Sequence, residues 1–172
     1  GAIGSNVVLN AARTGIGTWT LIDDDFVFPH NTVRQVYGND LVGGPKAQAA
    51  ALHIATLFAD DDSADFIAAN VLHPGEHTAR IDQSLSAADL AIDFSASPSV
   101  LGWLADAPIQ GRATSMFFNP AGNHLVVLDE GPGRHLRLDE VEAQYFLGVA
   151  TDSALADHMA EARIDFIRYA NA

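Results

Sequence analysis

The sequence contains no cysteine among its 172 residues. Disulfide bonds, cysteine-ligated zinc sites and thiol nucleophiles are therefore excluded within these residues. Basic residues are also scarce: nine Lys and Arg stand against 22 Asp and Glu, which gives a formal net charge of −13 at pH 7. Because there is no basic cluster to neutralise phosphates, we do not expect the chain to bind nucleic acid.

Long apolar runs are absent as well. No stretch reaches the roughly 20 residues of a membrane-spanning helix, and no signal-peptide pattern is present. We therefore expect a soluble cytoplasmic protein with no membrane partner. Hydrophobic residues make up 48% of the chain and charged residues 18%, which is typical of a globular domain. The length is that of one domain, so we predict a single domain over residues 1–172.

Helical and strand patterns alternate along the chain. Predicted helices lie in SNVVLNAARTG, GGPKAQAAALHIATLFA, HTARIDQSLSAA and SPSVLGWLADA, and predicted strands in TWTLID, ADFIAANVL, DLAIDFSAS, RATSMFFNP and NHLVVLDEG. Residues 139–172 form a predicted helical tail with a break near residues 148–152. The alternation predicts an α/β, Rossmann-like fold with a mostly parallel sheet and helices on both faces. Ligands of such sheets bind at the carboxyl ends of the strands.

The chain opens with GAIG, and a helical pattern follows at once. Gly1 and Gly4 match the last two glycines of G-x-G-x-x-G, which bring the backbone close to phosphate and let the helix pack on its strand. The first strand and first glycine of that unit should precede Gly1, so we expect these residues to be a fragment of a longer protein. Asp23 ends TLID about 20 residues later, where an acidic residue binds a ribose hydroxyl. These features alone are also typical of an NAD-dependent Rossmann oxidoreductase.

A long polar segment from Asp24 to Gly43 separates the first strand from the next helix, and loops of this length are commonly functional. The segment contains DDDFVFPHNTVRQ and leads into VGGPKAQAA. The order of motifs resembles the ThiF/MoeB-like superfamily. It runs from the glycines through an acidic strand end, N-x-x-R-Q and G-x-x-K to a later strand ending in Asp. The adenylating domain of this superfamily is shared with ubiquitin-activating enzymes. The matching residues are Gly1, Gly4, Asp23, Asp25, Asn31, Arg34, Gln35, Asp40, Gly43, Lys46 and Asp93.

The resemblance implies ATP-dependent adenylation of a carboxylate, usually at the C-terminus of a ubiquitin-like or sulfur-carrier protein. It implies that Asp23 holds the ribose and that Asn31, Arg34 and Lys46 contact the phosphates. It also implies that residues around Asn70 and Val71 line the adenine and that Asp93 helps to hold Mg²⁺. The implied catalytic residues are Arg34, Lys46 and Asp93, and the implied cofactor-binding residues are Gly1, Gly4, Asp23, Asp25, Asn31, Gln35, Asn70 and Val71. Cations suit this chemistry because negative charge accumulates on phosphate oxygens during the reaction.

The chain departs from the family pattern in three ways. The first motif glycine is absent from these residues. Many members carry paired CxxC zinc ligands, and members that form a thioester need a cysteine, but this chain has no cysteine. The acceptor cysteine therefore lies outside these residues, or the adenylate passes directly to another protein, an amine or a sulfur donor. The family also implies a homodimer.

Alternatives to an adenylating enzyme remain open. An NAD-dependent oxidoreductase does not explain Asn31, Arg34 and Lys46 at this spacing. An inactive scaffold subunit of an activating enzyme has no chemical need for Arg34, Lys46 and Asp93 together. Individual residues also have structural interpretations: Asn31 and Arg34 could belong to an ordinary capped loop, and Asp93 could cap the turn SASPS.

Overall fold

The computed structural model describes residues 1–36, 38–58 and 63–159. The chain forms two compact units, Gly1–Ser84 and Leu85–Ala172. Two compact units can belong to one domain, and the single domain over residues 1–172 stays a prediction. No helix within the described part of the chain is long and apolar enough to cross a membrane.

The first unit alternates helix and strand in the predicted order. Its elements are α1 (Ala2–Arg13), β1 (Trp19–Ile22), α2 (Lys46–Phe58) and β2 (Ala64–Ile67), with short 3-10 turns at Pro29–Asn31, Asn39–Leu41 and Gly75–His77. Strands β1 and β2 pair in parallel, with Trp19 opposite Ala64 and Ile22 opposite Ile67. The predicted end of α1 is confirmed, because Gly15 follows the cap residue with a φ of +76°.

Helix α2 packs on both strands, and α1 packs against α2. The alanines at positions 47, 49, 50 and 51 of α2 are buried, and such small side chains let the helix approach the strands closely. Leu9 of α1, Ile54 of α2 and Ile67 of β2 are also almost fully buried in this unit. Each large aliphatic side chain buried in this way stabilises the fold by about 1.5–3 kcal/mol.

The long segment between β1 and α2 is fastened at its base. Val27 is fully buried and clusters with Ala49 and Ala50 of α2. The Val27 N–H donates to the Gly44 carbonyl at 2.8 Å, and the Gly43 N–H donates to the Val27 carbonyl at 2.8 Å. The loop therefore leaves and rejoins the unit at one place.

The second unit contains a three-stranded sheet. Helix α3 (Thr78–Ala87) leads into it, and its elements are β3 (Leu90–Asp93), α4 (Pro98–Asp106), β4 (Arg112–Phe118), β5 (Leu125–Asp129) and α5 (Leu138–Thr151). Strands β3 and β4 are parallel, whereas β4 and β5 are antiparallel. The antiparallel pair follows from the tight turn between them, because a parallel pair needs a longer crossover.

The α/β, Rossmann-like fold class is confirmed, and parallel pairing predominates in the two sheets. Helix α5 begins at Leu138, one residue before the predicted tail, and continues through Gly148 to Thr151. A 3-10 turn follows at Ser153–Leu155. The rest of the predicted helical tail, from residue 160 onward, lies outside the described residues.

A buried ion pair links three elements of the second unit. Arg134 donates from Nε to Glu130 Oε2 at 2.5 Å and from its terminal nitrogens to carbonyls of residues 104–109, at the end of α4. Glu130 also accepts the N–H of Ala113 in β4 at 2.9 Å and the N–H of Leu138 at the start of α5 at 3.0 Å. Every hydrogen-bonding group of the pair is thus engaged away from water.

We expect Arg134→Ala to destabilise the protein by about 3–5 kcal/mol, because it leaves the Glu130 carboxylate buried without its cation. The measurement is urea unfolding of the full-length protein followed by circular dichroism. Arg80→Ala is the matched control, since Arg80 pairs with Asp65 at the surface and should cost at most about 1 kcal/mol. Equal losses in the two variants would contradict a structural role for the buried pair.

Candidate nucleotide-binding site

Polar side chains gather where β1 and β2 end. Asp23 follows β1 directly, and its N–H donates to the Ile67 carbonyl of β2 at 3.3 Å. The next residue, Asp24, accepts a hydrogen bond from Asn70 Nδ2 through Oδ2 at 2.9 Å. Asn70 and the half-buried Val71 come shortly after β2. The structure therefore brings the predicted ribose and adenine residues to one edge of the sheet.

Asp23 is a half-buried carboxylate. Its Oδ1 accepts the N–H of Asp25 at 2.8 Å, which fixes the turn that leaves the strand. Burial raises the pKa of Asp23, and this exceeds the lowering by the Asp25 N–H and by the charge of Lys46. A ribose hydroxyl donating to this carboxylate would replace part of the hydration it has lost.

Lys46 is the first residue of α2, and Asp25 contacts both its side chain and its backbone. Its Nζ lies 2.5 Å from Asp25 Oδ2, and its backbone N–H donates to the Asp25 carbonyl at 2.8 Å. The Lys46 side chain is only 12% exposed, whereas that of Asp25 is 65% exposed. The lysine is thus tied to the end of β1, and its contact with the phosphates stays a prediction.

The first turns of α1 meet the segment that carries Arg34. Asn6 donates from Nδ2 to the Ala2 carbonyl at 2.8 Å and to the Arg34 carbonyl at 3.5 Å. The start of α1 therefore lies beside the N-x-x-R-Q residues.

This end of α1 suits an anion. Gly1 is the cap residue and has no side chain to cap the first N–H groups, and the first helical bond runs from Ser5 to Gly1. The N–H groups of the first turn have no partner within the helix and carry a partial positive charge. Gly4 is buried within this turn, and its packing on a preceding strand stays a prediction.

The N-x-x-R-Q residues differ in their surroundings. Asn31 is buried and its Oδ1 accepts the N–H of Phe28 at 2.9 Å, so it caps its own loop, and a contact with phosphate stays a prediction. Arg34 is exposed, which leaves its guanidinium accessible to a ligand. Gln35 is buried, and its Oε1 has no hydrogen-bond partner among the described residues. A buried acceptor without a partner is where a ligand donor would be favourable.

Asp93 belongs to the second unit, at the end of β3. Its Oδ1 accepts the N–H of Ser95 and its Oδ2 accepts the hydroxyl of Ser115, both at 2.8 Å. Capping of the following turn is therefore present. Sequence reasoning missed Ser115, which becomes the partner of Asp93 because β3 and β4 place these two residues opposite each other.

An ionised carboxylate has about four acceptor positions, so Asp93 retains capacity for a Mg²⁺ ion beside its two hydrogen bonds. Within residues 1–36, 38–58 and 63–159, no group of three or more His, Cys, Asp or Glu side chains is arranged to hold a metal by itself. The magnesium role of Asp93 stays a prediction.

A family model described as the ThiF family matches residues 1–95. The chain belongs to the ThiF family. All predicted site residues, from Gly1 to Asp93, lie inside the matched range.

Several solved structures are similar in fold to this ThiF-family chain. Escherichia coli MccB with AMPCPP and MccA has a TM-score of 0.63 and 20% identity, over 94% of this chain and 49% of that one. MccB with ATP has a TM-score of 0.56 and 24% identity, over 69% of this chain and 35% of that one. PaaA has a TM-score of 0.52 and 26% identity, over 70% of this chain and 36% of that one.

Two uncharacterized proteins of Sinorhizobium fredii are similar in sequence. The protein y4oA is 49% identical over 49 residues, which is 28% of this chain and 8% of that protein. The protein y4qC is 33% identical over 112 residues, which is 62% of this chain and 19% of that protein. The ThiF-family chain thus spans less than a fifth of these relatives and at most about half of the solved structures.

We expect Asp23→Asn to raise the thermal midpoint of unfolding at pH 7, because it removes a carboxylate whose charge the folded state disfavours. The folded-state pKa of Asp23 lies above its ordinary value of 3.8. Its favourable contribution is therefore complete below pH 3.8 and is lost as the pH rises through the raised value. The gain from Asp23→Asn should accordingly grow between about pH 4 and pH 7 in differential scanning fluorimetry.

Asp65→Asn is a control of opposite sign. The hydrogen bond from Arg80 lowers the pKa of Asp65, so that carboxylate stabilises the folded state above pH 3.8 and loses its effect as the pH falls through the lowered value. Asp65→Asn should therefore lower the midpoint slightly at pH 7. A fall in midpoint with Asp23→Asn at pH 7 would contradict the burial argument.

Proposed function

We propose that this chain forms the ATP site of an adenylyltransferase that activates the C-terminal carboxylate of a ubiquitin-like or sulfur-carrier protein. A carboxylate oxygen attacks the α-phosphorus of ATP, the bond to the bridging oxygen breaks, and pyrophosphate leaves with that electron pair. The products are an acyl-adenylate and pyrophosphate. The observation that carries the proposal is that Asp23, Asp25 and Lys46 are joined by short contacts at the end of β1, within the segment that matches the family.

Each group of the site has a function in this reaction. The N–H groups of the first turn of α1 have no partner within the helix, which favours a phosphate there. Lys46 supplies a point charge and Arg34 a planar guanidinium with several donors, which suit phosphate oxygens that gain charge in the transition state. The Asp23 carboxylate accepts a ribose hydroxyl. Together these residues bind and orient the nucleotide, and they need not remove a proton.

Mg²⁺ would bind at Asp93 and neutralise phosphate charge when it is present. Asp93 is suited to this because it is anionic, follows a strand and keeps free acceptor positions.

Support for a protein or peptide substrate comes from the neighbours. Some of the MccB structures carry MccA or a form of it, and one of these also carries AMPCPP. We extend this to a partner that presents a carboxylate at the ATP site, in a cytoplasmic homodimer of the full-length protein. Family membership supports this function over an NAD-dependent oxidoreductase.

ATP–pyrophosphate exchange by the full-length protein tests the proposal. The candidate substrates are small proteins that end in Gly-Gly and short peptides with a free C-terminus. We expect exchange that requires the carboxylate substrate and falls by about 10²–10³ in Arg34→Ala and in Lys46→Ala, because each removes one stabilising cation. Asp93→Ala should lower the exchange in the same way by weakening Mg²⁺ binding.

Arg13→Ala is the matched control, since Arg13 is exposed in the last turn of α1 and bonds to Asn10. It should exchange as the wild type does. NAD binding without exchange on any candidate would favour the oxidoreductase, and the absence of nucleotide binding would favour a scaffold subunit.

A further inference from the structure

The contact between Asp25 and Lys46 joins two residues that are 21 positions apart in the chain. A lysine has four rotatable carbons and a compact charge, so on its own it samples many positions. Here the ammonium is restricted by the carboxylate at 2.5 Å, and the lysine side chain is 12% exposed. Lys46 is thus held in one place before any nucleotide binds.

The ion pair with Asp25 does not use all the hydrogen-bond donors of the Lys46 ammonium. Asp25 Oδ2 is the partner found for Lys46 Nζ in the part of the chain that the structure describes. An ammonium has three N–H donors, so two remain for phosphate oxygens. Asp25 can therefore orient Lys46 and leave it able to bind a ligand at the same time.

Asp25 is itself firmly placed. Its N–H donates to Asp23 Oδ1 at 2.8 Å, and its carbonyl accepts the Lys46 N–H at 2.8 Å. The predicted ribose residue and the predicted phosphate residue are thus connected through one intervening residue. Asparagine at position 25 would keep both backbone bonds and remove the negative charge from the side chain.

We propose that Asp25 is a positioning residue, whose carboxylate holds the Lys46 ammonium where it meets the phosphates of ATP. The inference rests on the proposed function and refines it, because Asp25 then acts through Lys46 instead of contacting the nucleotide. An ordered lysine loses less conformational freedom when the phosphates arrive, so more of its interaction energy contributes to binding. The contribution of Lys46 to ATP binding should then depend on the carboxylate of Asp25.

A double-mutant cycle on the full-length protein tests this, with ATP as the probe and isothermal titration calorimetry as the measurement. Lys46→Ala should weaken ATP binding about tenfold in the wild-type background, the range for one charge-assisted hydrogen bond. In the Asp25→Asn background the same substitution should weaken it by less than about threefold. If Asp25→Asn only damaged the fold, it would weaken ATP binding by the same factor with and without Lys46. The two substitutions would then show no coupling.

Asp65→Asn provides the matched background, since Asp65 forms an ion pair with Arg80 in the same unit. Lys46→Ala should keep its full tenfold effect there. Thermal midpoints confirm that each variant is folded at the assay temperature, and Asp25→Ser replaces Asp25→Asn if the latter unfolds.

The outcomes separate the two proposals. A tenfold effect of Lys46→Ala in the Asp25→Asn background overturns the positioning role and leaves the proposed function standing. Wild-type protein that binds no ATP overturns the proposed function and, with it, the positioning role. Both proposals are supported if Lys46→Ala weakens ATP binding about tenfold in the wild-type and Asp65→Asn backgrounds but less than about threefold in the Asp25→Asn background.

Discussion

Parallel pairing of β1 with β2 determines where the polar side chains of the first unit lie. Parallel strands run in the same direction, so the residues that follow them emerge at one edge of the sheet. The hydrogen bond between Asp24 and Asn70 is a direct result, although these residues are 46 positions apart. A slip of one residue in the register would turn alternate side chains to the opposite face and separate these groups.

Nearby charges dominate the electrostatics of the site, although the protein as a whole is strongly acidic. The chain carries a net charge of −13, and its proposed ligand is an anion. At physiological salt, exposed charges are largely screened beyond about 8–10 Å. Under the proposed function, Lys46, Arg34 and the start of α1 supply the local attraction for the nucleotide, while the distant carboxylates mainly oppose its approach and do so less as ionic strength rises.

Local patterns were sufficient to predict the order of helices and strands, because apolar spacing, Gly15 and Pro45 mark elements within short windows. Contacts between distant residues could not be predicted in the same way. Ser115 meets Asp93 only through the register of two strands. The site was predicted from the family pattern, which assigns Asn31 to phosphate but does not show that its side chain caps a loop.

The fastening at the base of the loop between β1 and α2 has a consequence for how such proteins diversify. The bonds among Val27, Gly43 and Gly44 close the loop where it meets the sheet, and Val36 and Leu41 pack against the core cluster formed by Val27 and α2. Doubling the length of a flexible loop costs only about 0.6 kcal/mol in closure entropy. Insertions beside the exposed residues 38 and 39 can therefore accumulate over evolution, and recognition can change while Asn31, Arg34 and Gln35 keep their places in the nucleotide-binding framework.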